Sequence, residues 1–367
     1  MRFEPAKPSE VGLDPKRLAA AKQLVAEGLQ AREYTCAVYL VARYGKVAAC
    51  DAMGRLGGEE GDPPAKIDSI FDMASVTKPV ATASSLMVLV ERGALHLSQP
   101  VTDFFPGRSL PHLSGITVKQ LATHTSGLPA WRALYTDAKS REDVIAQLLQ
   151  TPLENAPGAK HVYSCLGYIT LGLVIEQAGG MPLAKFAAAN VFKPLKMTDS
   201  GFNPPKSKWN RIARTGHSQL REGVLLGEVH DENANSLGGN SGNAGLFSTA
   251  PDLAVLAQAM LNGGEFDRTR ILSPLSVRKM LANRIDPSIG GQAYGFFTHP
   301  NGMLPYGDLF SDRSAGHTGF TGTSLLIDPE YDMFVILLTN RVYMNRESPE
   351  FLKRRRLFHN IVASAVG

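Results

Sequence analysis

The sequence predicts an α+β sandwich: an antiparallel sheet built from both ends of the chain, flanked by terminal helices, with a mostly helical subdomain inserted between its halves. Three observations lead there. Strand-like apolar runs cluster at residues 35–51 and again at 292–340. Between about 101 and 281 the apolar residues instead recur at spacings of three and four, broken by Gly and Pro. An amphipathic segment sits near each end. The expected division is a sheet domain of residues 1–100 plus 290–367 and a helical subdomain of 101–289, with the functional site at their interface.

Taken in order, Asp14-Pro15 heads a pattern of Leu18, Ala21, Leu24, Val25 and Leu29, a helix with aspartate as its N-cap. Residues 35–42 and 47–51 read as strands around a turn at Tyr44-Gly45-Lys46. The short run Ile70-Phe71-Asp72-Met73-Ala74 leads into a helix carrying Val80, Ala83, Leu86, Met87, Leu89 and Val90 on one side. Pro79 falls in its first turn, where a missing N–H has no helical partner anyway. Segments 141–150, 166–178, 183–192 and 253–262 read as helices, and the Gly/Asn-rich stretch 236–245 as an ordered loop. Residues 292–298, 314–319, 323–328 and 333–340 return to strands, with Asp328-Pro329-Glu330-Tyr331 as a turn between the last two. A closing helix is expected over 350–365, with Lys353-Arg354-Arg355-Arg356 as its solvent face.

Composition narrows the class. At 367 residues, 44% hydrophobic and 20% charged, the chain can bury a large core, and a net charge of +4 argues against a nucleic-acid partner. Cys36, Cys50 and Cys165 form neither a disulfide framework nor a metal-ligand spacing. The opening Met1-Arg2-Phe3-Glu4-Pro5 lacks the apolar core of a signal peptide, and no apolar run is long enough to span a bilayer. The expectation is a cytoplasmic protein without a membrane partner.

Chemistry concentrates at Ser75-Val76-Thr77-Lys78. Three residues apart at a helix start, Ser75 and Lys78 share a face, so the serine can act as nucleophile with an amine beside it. The helix N-terminus adds partial positive charge where an oxyanion would develop. Lys78 must spend time neutral: at a pKa near ~10.4 only about one lysine in a thousand is neutral near pH 7.4, so a burying pocket is required. Tyr163 is the second proton carrier, and whether lysine or tyrosine is the base stays open; the two are one proton-handling unit. The second Ser-x-x-Lys, Ser276 to Lys279, reads as the first turn of a helix after Pro274. His230-Asp231-Glu232-Asn233 reads as a structural turn rather than a metal cluster. Gly239-Asn240-Ser241-Gly242-Asn243 lacks the last glycine of a nucleophile elbow, which excludes that rival architecture.

Together with Leu121-Ala122-Thr123-His124-Thr125-Ser126-Gly127-Leu128-Pro129, Tyr163-Ser164, Gly245-Leu246-Phe247-Ser248-Thr249 and His317-Thr318-Gly319-Phe320-Thr321-Gly322, the Ser75 motif resembles the serine β-lactamase/penicillin-binding-protein superfamily. The resemblance is to its class C-like branch, which includes family VIII carboxylesterases, and it covers nearly the whole chain. It implies a β-lactamase/transpeptidase-like fold and an acyl-enzyme serine hydrolase that needs no cofactor or metal. It assigns Ser75, Lys78 and Tyr163 to catalysis and His317, Gly319, Phe320 and Cys165 to substrate binding, with the N–H groups of Ser75 and Phe320 as the oxyanion hole. Two departures stand out: Cys165 where many relatives have asparagine, and His317 where lactam-handling members carry lysine. The expectation is therefore a carboxylesterase for small, neutral acyl esters. The alternatives are a β-lactamase or D-amino-acid-specific peptidase or transesterase of the same fold, and a non-catalytic ligand-binding or assembly protein. A homo-oligomer is compatible with the sequence.

Overall fold

A computed structural model of the chain describes residues 3–218, 221, 223–300 and 307–367; Met1 and Arg2 of the opening stretch lie outside the described residues. Its centre is a six-stranded antiparallel sheet in the order Phe297–Thr298, Ala315–Thr318, Ser324–Asp328, Met333–Thr339, Cys36–Arg43, Lys46–Gly54. Strands from the two ends of the chain thus lie side by side, with Val38 opposite Leu338 and Leu40 opposite Ile336. Both are buried along their whole length, which is why each is a continuous apolar run rather than an alternating one. Side chains on a strand alternate faces. Val38, Leu40 and Ala42 pack with the helical body, whereas Ala37, Tyr39 and Val41 pack with the terminal helices.

Those helices are Pro15–Gln30 and Pro349–Ala363. Asp14 caps the first by accepting the Lys16 N–H at 2.8 Å. Leu18, Ala21 and Val25 meet Phe351, Phe358 and Val362 over the sheet. Arg354 fastens the closing helix through two bonds to Glu33, at 2.8 and 2.9 Å.

Between these ends, helices Arg141–Leu149, Cys165–Gly179, Ala250–Leu261 and Pro274–Leu281 match the expected segments. The Gly/Asn-rich stretch is ordered as expected. A Cβ on its Gly242 would stand 2.0 Å from the Tyr168 carbonyl, so glycine lets the loop press onto the helix. The expected helix over 183–192 divides into α-helix Leu183–Ala187 and a π-helical Ala188–Phe192. Among the described residues no helix is long and apolar enough to cross a membrane.

Three further features depart from the sequence reading. The Ser75 segment is a 3-10 turn, Ala74–Val76, followed by a π-helical stretch, Lys78–Ala83, before the α-helix Ser84–Glu91 begins. Pro79 supplies no N–H to an α-helical ladder, and its carbonyl accepts the Ser84 hydroxyl instead, at 3.0 Å. The strand expected over 292–298 shrinks to Phe297–Thr298 because Gly295, at φ +87°, turns the chain; a Cβ there would lie 2.6 Å from Ala83 Cβ. The middle of the chain also contributes strands: Leu246–Ser248 pairs with both Phe71–Asp72 and Gly201–Phe202. It thereby anchors the approach to Ser75.

Candidate active site

Ser75 sits half-buried at a cavity of about 570 Å³. The residue before it, Ala74, has φ +45°, a left-handed conformation that a Cβ disfavours. Surrounding bonds hold it there. Asp72 accepts the Ala74 N–H on one carboxylate oxygen at 2.8 Å and the His230 N–H on the other at 2.7 Å. The Thr321 hydroxyl donates to the Asp72 carbonyl at 2.7 Å, the Thr323 hydroxyl to the Met73 carbonyl at 3.0 Å, and the Met73 N–H to the Leu246 carbonyl at 2.8 Å. Burial pushes the Asp72 carboxyl up to about 6, against the pull of the His230 and Ala74 N–H groups. The Ser75 hydroxyl caps no helix; its partner is Lys78.

Lys78 is fully buried. Its Nζ lies 3.0 Å from Ser75 Oγ, 3.0 Å from the Asn243 carbonyl and 3.7 Å from Cys165 Sγ, and 4.8 Å from the centre of the Tyr163 ring. The Nζ donates to all three of these atoms, the Ser75 hydroxyl, the Asn243 carbonyl and the Cys165 sulfur, and no carboxylate is among them. Burial lowers the Lys78 pKa, with Cys165 and Asp231 opposing. Tyr163 moves the other way: burial raises its phenol well above the usual range, and a hydrogen bond with Ser75 works against that rise. The environment therefore favours an amine without its proton beside a phenol that keeps it.

The segment 121–129 is a scaffold for Tyr163. His124, buried and at φ +56°, accepts the Ser164 N–H on Nδ1 at 2.9 Å, and its carbonyl accepts the Val162 N–H at 2.9 Å. Its ring lies 4.6 Å from that of Tyr163. Ser164 donates to the Pro129 carbonyl at 2.6 Å and caps the helix that starts at Cys165 by accepting the Gly167 N–H at 3.0 Å. Tyr163 is thus gripped from both of its peptide neighbours.

On the strand Ala315–Thr318, His317 is 1% exposed and stacked on Phe297 at 4.7 Å. Its Nδ1–H donates to the Thr318 carbonyl at 2.8 Å, which leaves Nε2 as an acceptor with no partner among the described residues. Burial, reinforced by Lys78, lowers its pKa to about 3, so the ring is neutral at physiological pH. Phe320 stands 44% exposed at the rim. Neither its N–H nor that of Ser75 donates to another described residue.

Gly319 lines the cavity and has a packing role besides. A Cβ there would stand 2.2 Å from Thr323 Oγ1 and 2.4 Å from the Met73 carbonyl, so glycine admits the turn before Ser75. Gly319→Ala is expected to lower stability by about 1–3 kcal/mol through overpacking and to depress turnover as Met73 shifts. A circular-dichroism melt with parallel ester kinetics checks both; an unchanged melt would remove the packing argument.

The structure brings Ser75, Lys78, Tyr163, Cys165, His317, Gly319 and Phe320 into one place. It also adds residues that sequence reasoning missed. Arg341, Arg346 and Arg355 line the same cavity. The basic run 353–356 is not a uniform solvent face: Lys353 and Arg356 are exposed, but Arg355 is buried. The signal was present, since Arg355 falls at i+4 from Phe351 and i−3 from Phe358 on the apolar side of the helix. The His230–Asn233 stretch is structural as expected, with Asp231 capping helix Glu232–Ser236 through the Ala234 N–H at 2.7 Å, but it forms a cavity wall as well.

A family model described as Beta-lactamase matches residues 21–358. An N-acetylmuramyl-L-alanine amidase of Bacillus subtilis is 32% identical over 91% of this chain and 83% of its own length. A protein of Escherichia coli K12, provisionally described as a D-alanyl-D-alanine carboxypeptidase, is 32% identical over 77% of this chain and 71% of its own. Among solved structures, EstCE1, described as a hydrolase with promiscuous acyltransferase activity, superposes with a TM-score of 0.76 over 96% of this chain and 98% of its own at 22% identity, a likeness of fold.

Proposed function

The chain belongs to the Beta-lactamase family, whose members are serine hydrolases, and we propose that it is a carboxylesterase that cleaves small acyl esters through a Ser75 acyl-enzyme. One observation carries this reading: a buried amine 3.0 Å from the serine oxygen, in a cavity whose lactam-recognition positions hold a thiol and a neutral imidazole. Ser75 Oγ attacks the ester carbonyl carbon and its proton passes to Lys78 Nζ. The N–H groups of Ser75 and Phe320 hold the oxyanion. As the tetrahedral intermediate collapses, the leaving alcohol takes a proton delivered through the Lys78–Tyr163 pair, and water then releases the acid by the same route in reverse. Lys78 is the base in this scheme, because Tyr163 is held as a phenol and serves to pass its proton on.

The relatives described as an amidase and a carboxypeptidase favour a second reading, a peptidase of the same fold. A screen of p-nitrophenyl esters of increasing acyl length, beside nitrocefin and a D-Ala-D-Ala peptide, separates the two. Ester turnover well above nitrocefin and peptide turnover is expected. Efficient lactam or peptide cleavage at neutral pH, with weak ester cleavage, would overturn the carboxylesterase reading in favour of the second.

A further inference from the structure

We propose that the cavity recognises a carboxylate carried by its substrate, and that Arg341 and Arg355 hold it. This rests on the carboxylesterase reading and names its substrate class. Both arginines line the cavity that contains Ser75, and each is only 5% exposed.

Their neighbours are neutralised and they are not. Arg346 pairs with Glu232 at 2.8 Å, Arg354 with Glu33 at 2.8 Å, and Arg356 with Asp308. Among the described residues neither Arg341 nor Arg355 has a carboxylate within 4.0 Å, and the Nε of each is buried without a hydrogen-bond partner. Asp231 is occupied in capping its helix. Arg341 Nη1 donates to the Arg346 carbonyl at 2.8 Å, and aromatic faces supply further contact: Arg341 lies 4.7 Å from the Phe320 ring centre and 5.7 Å from that of Phe351, and Arg355 lies 5.4 Å from Phe351. Burial, joined by the repulsion of a neighbouring guanidinium group, lowers both guanidinium pKa values, to about 10 for Arg341 and about 9 for Arg355.

A buried, unpaired charge is costly in a folded protein, and a guanidinium answers a carboxylate through two parallel N–H donors. Phe320 carries one of the expected oxyanion donors, so an anion beside Arg341 would lie at the same end of the cavity as the reacting carbonyl. A half-ester of a dicarboxylic acid fits: its ester reaches Ser75 while its free carboxylate meets the arginines. The expected preference for neutral esters rested on Cys165 and His317, and with Arg341 and Arg355 counted it reverses.

The test compares p-nitrophenyl hemiadipate with p-nitrophenyl hexanoate, which replaces the carboxylate by a methyl group, each corrected for uncatalysed hydrolysis. The wild type should show a kcat/KM at least ~10-fold higher for the hemiadipate, and Arg341→Gln and Arg355→Gln should each lower that ratio ~10–100-fold, as loss of a charge-assisted hydrogen bond implies. Arg355→Lys should restore part of it. Free adipate should raise the melting temperature of the wild type and not of Arg355→Gln, a readout that needs no turnover. A ratio near one in the wild type, or a ratio unmoved by both glutamine variants, would overturn the proposal. A protein that cleaves neither ester yet is stabilised by adipate would keep the subsite and lose the carboxylesterase reading; no turnover and no stabilisation would remove both.

Discussion

Ser75→Ala is expected to abolish ester hydrolysis and labelling by a fluorophosphonate probe while leaving the melting temperature nearly unchanged. The hydroxyl caps no helix and its side-chain neighbours are Lys78 Nζ, at 3.0 Å, and the Tyr163 phenol. Losing one such bond costs about 1 kcal/mol, small beside the stability of a domain this size. Ser276 is the internal control. It lies in helix Pro274–Leu281, takes a hydrogen bond with its own cap Ser273, and is absent from the cavity wall. Substantial turnover by Ser75→Ala, or its loss in Ser276→Ala, would put the nucleophile in the wrong place.

The next largest effect is expected at the proton-handling pair. Lys78→Ala and Tyr163→Phe should each slow acylation by ~10²–10³-fold, in the range of general acid–base contributions. The double variant should be little worse than either single one, because groups that act as a unit give non-additive losses. The pH profile carries the sign. Activity needs the unprotonated amine, so it should rise with pH through a pKa that burial has placed below the ordinary lysine value. That limb should persist in Tyr163→Phe and vanish from the residual activity of Lys78→Ala. Over the same window folding stability should also rise with pH, since the unfolded chain binds the Lys78 proton more tightly than the folded one does. Losses that multiply in the double variant would show two independent groups.

What could be read from the chain alone was what is local in it. Ser75 and Lys78 are three residues apart, and the closing helix shows its apolar stripe in Phe351, Phe358 and Val362. Tyr163 and His317 were legible because each heads a short segment of recognisable order. The rest depends on contacts between distant positions. Nothing near Gly319 in sequence announces that Met73 will press against it. Arg354 finds Glu33 across 321 positions, whereas Arg355 beside it finds no carboxylate among the described residues; the helix pattern marks Arg355 for the apolar face but does not show which partners either arginine meets. The strand Leu246–Ser248 is too short for a period of two to register, although it anchors the approach to Ser75. The replacement of an α-helical first turn by π-helix follows from Pro79 only once the Ser84 hydroxyl is seen to claim its carbonyl.

The bonds around Asp72 bear on how such a protein could change its diet. One carboxylate ties the turn before Ser75 to the His230 wall, and its own peptide carbonyl is tied to Thr321, next to Phe320. Asp72 therefore ties the segments that carry Ser75 and Phe320 to one another. The entrance is built differently: Trp131, Phe320 and Leu352 border the opening and are each close to half exposed, so their side chains can be exchanged at little cost to the frame beneath. New substrates would be gained by re-cutting the doorway, with the hearth behind it left alone.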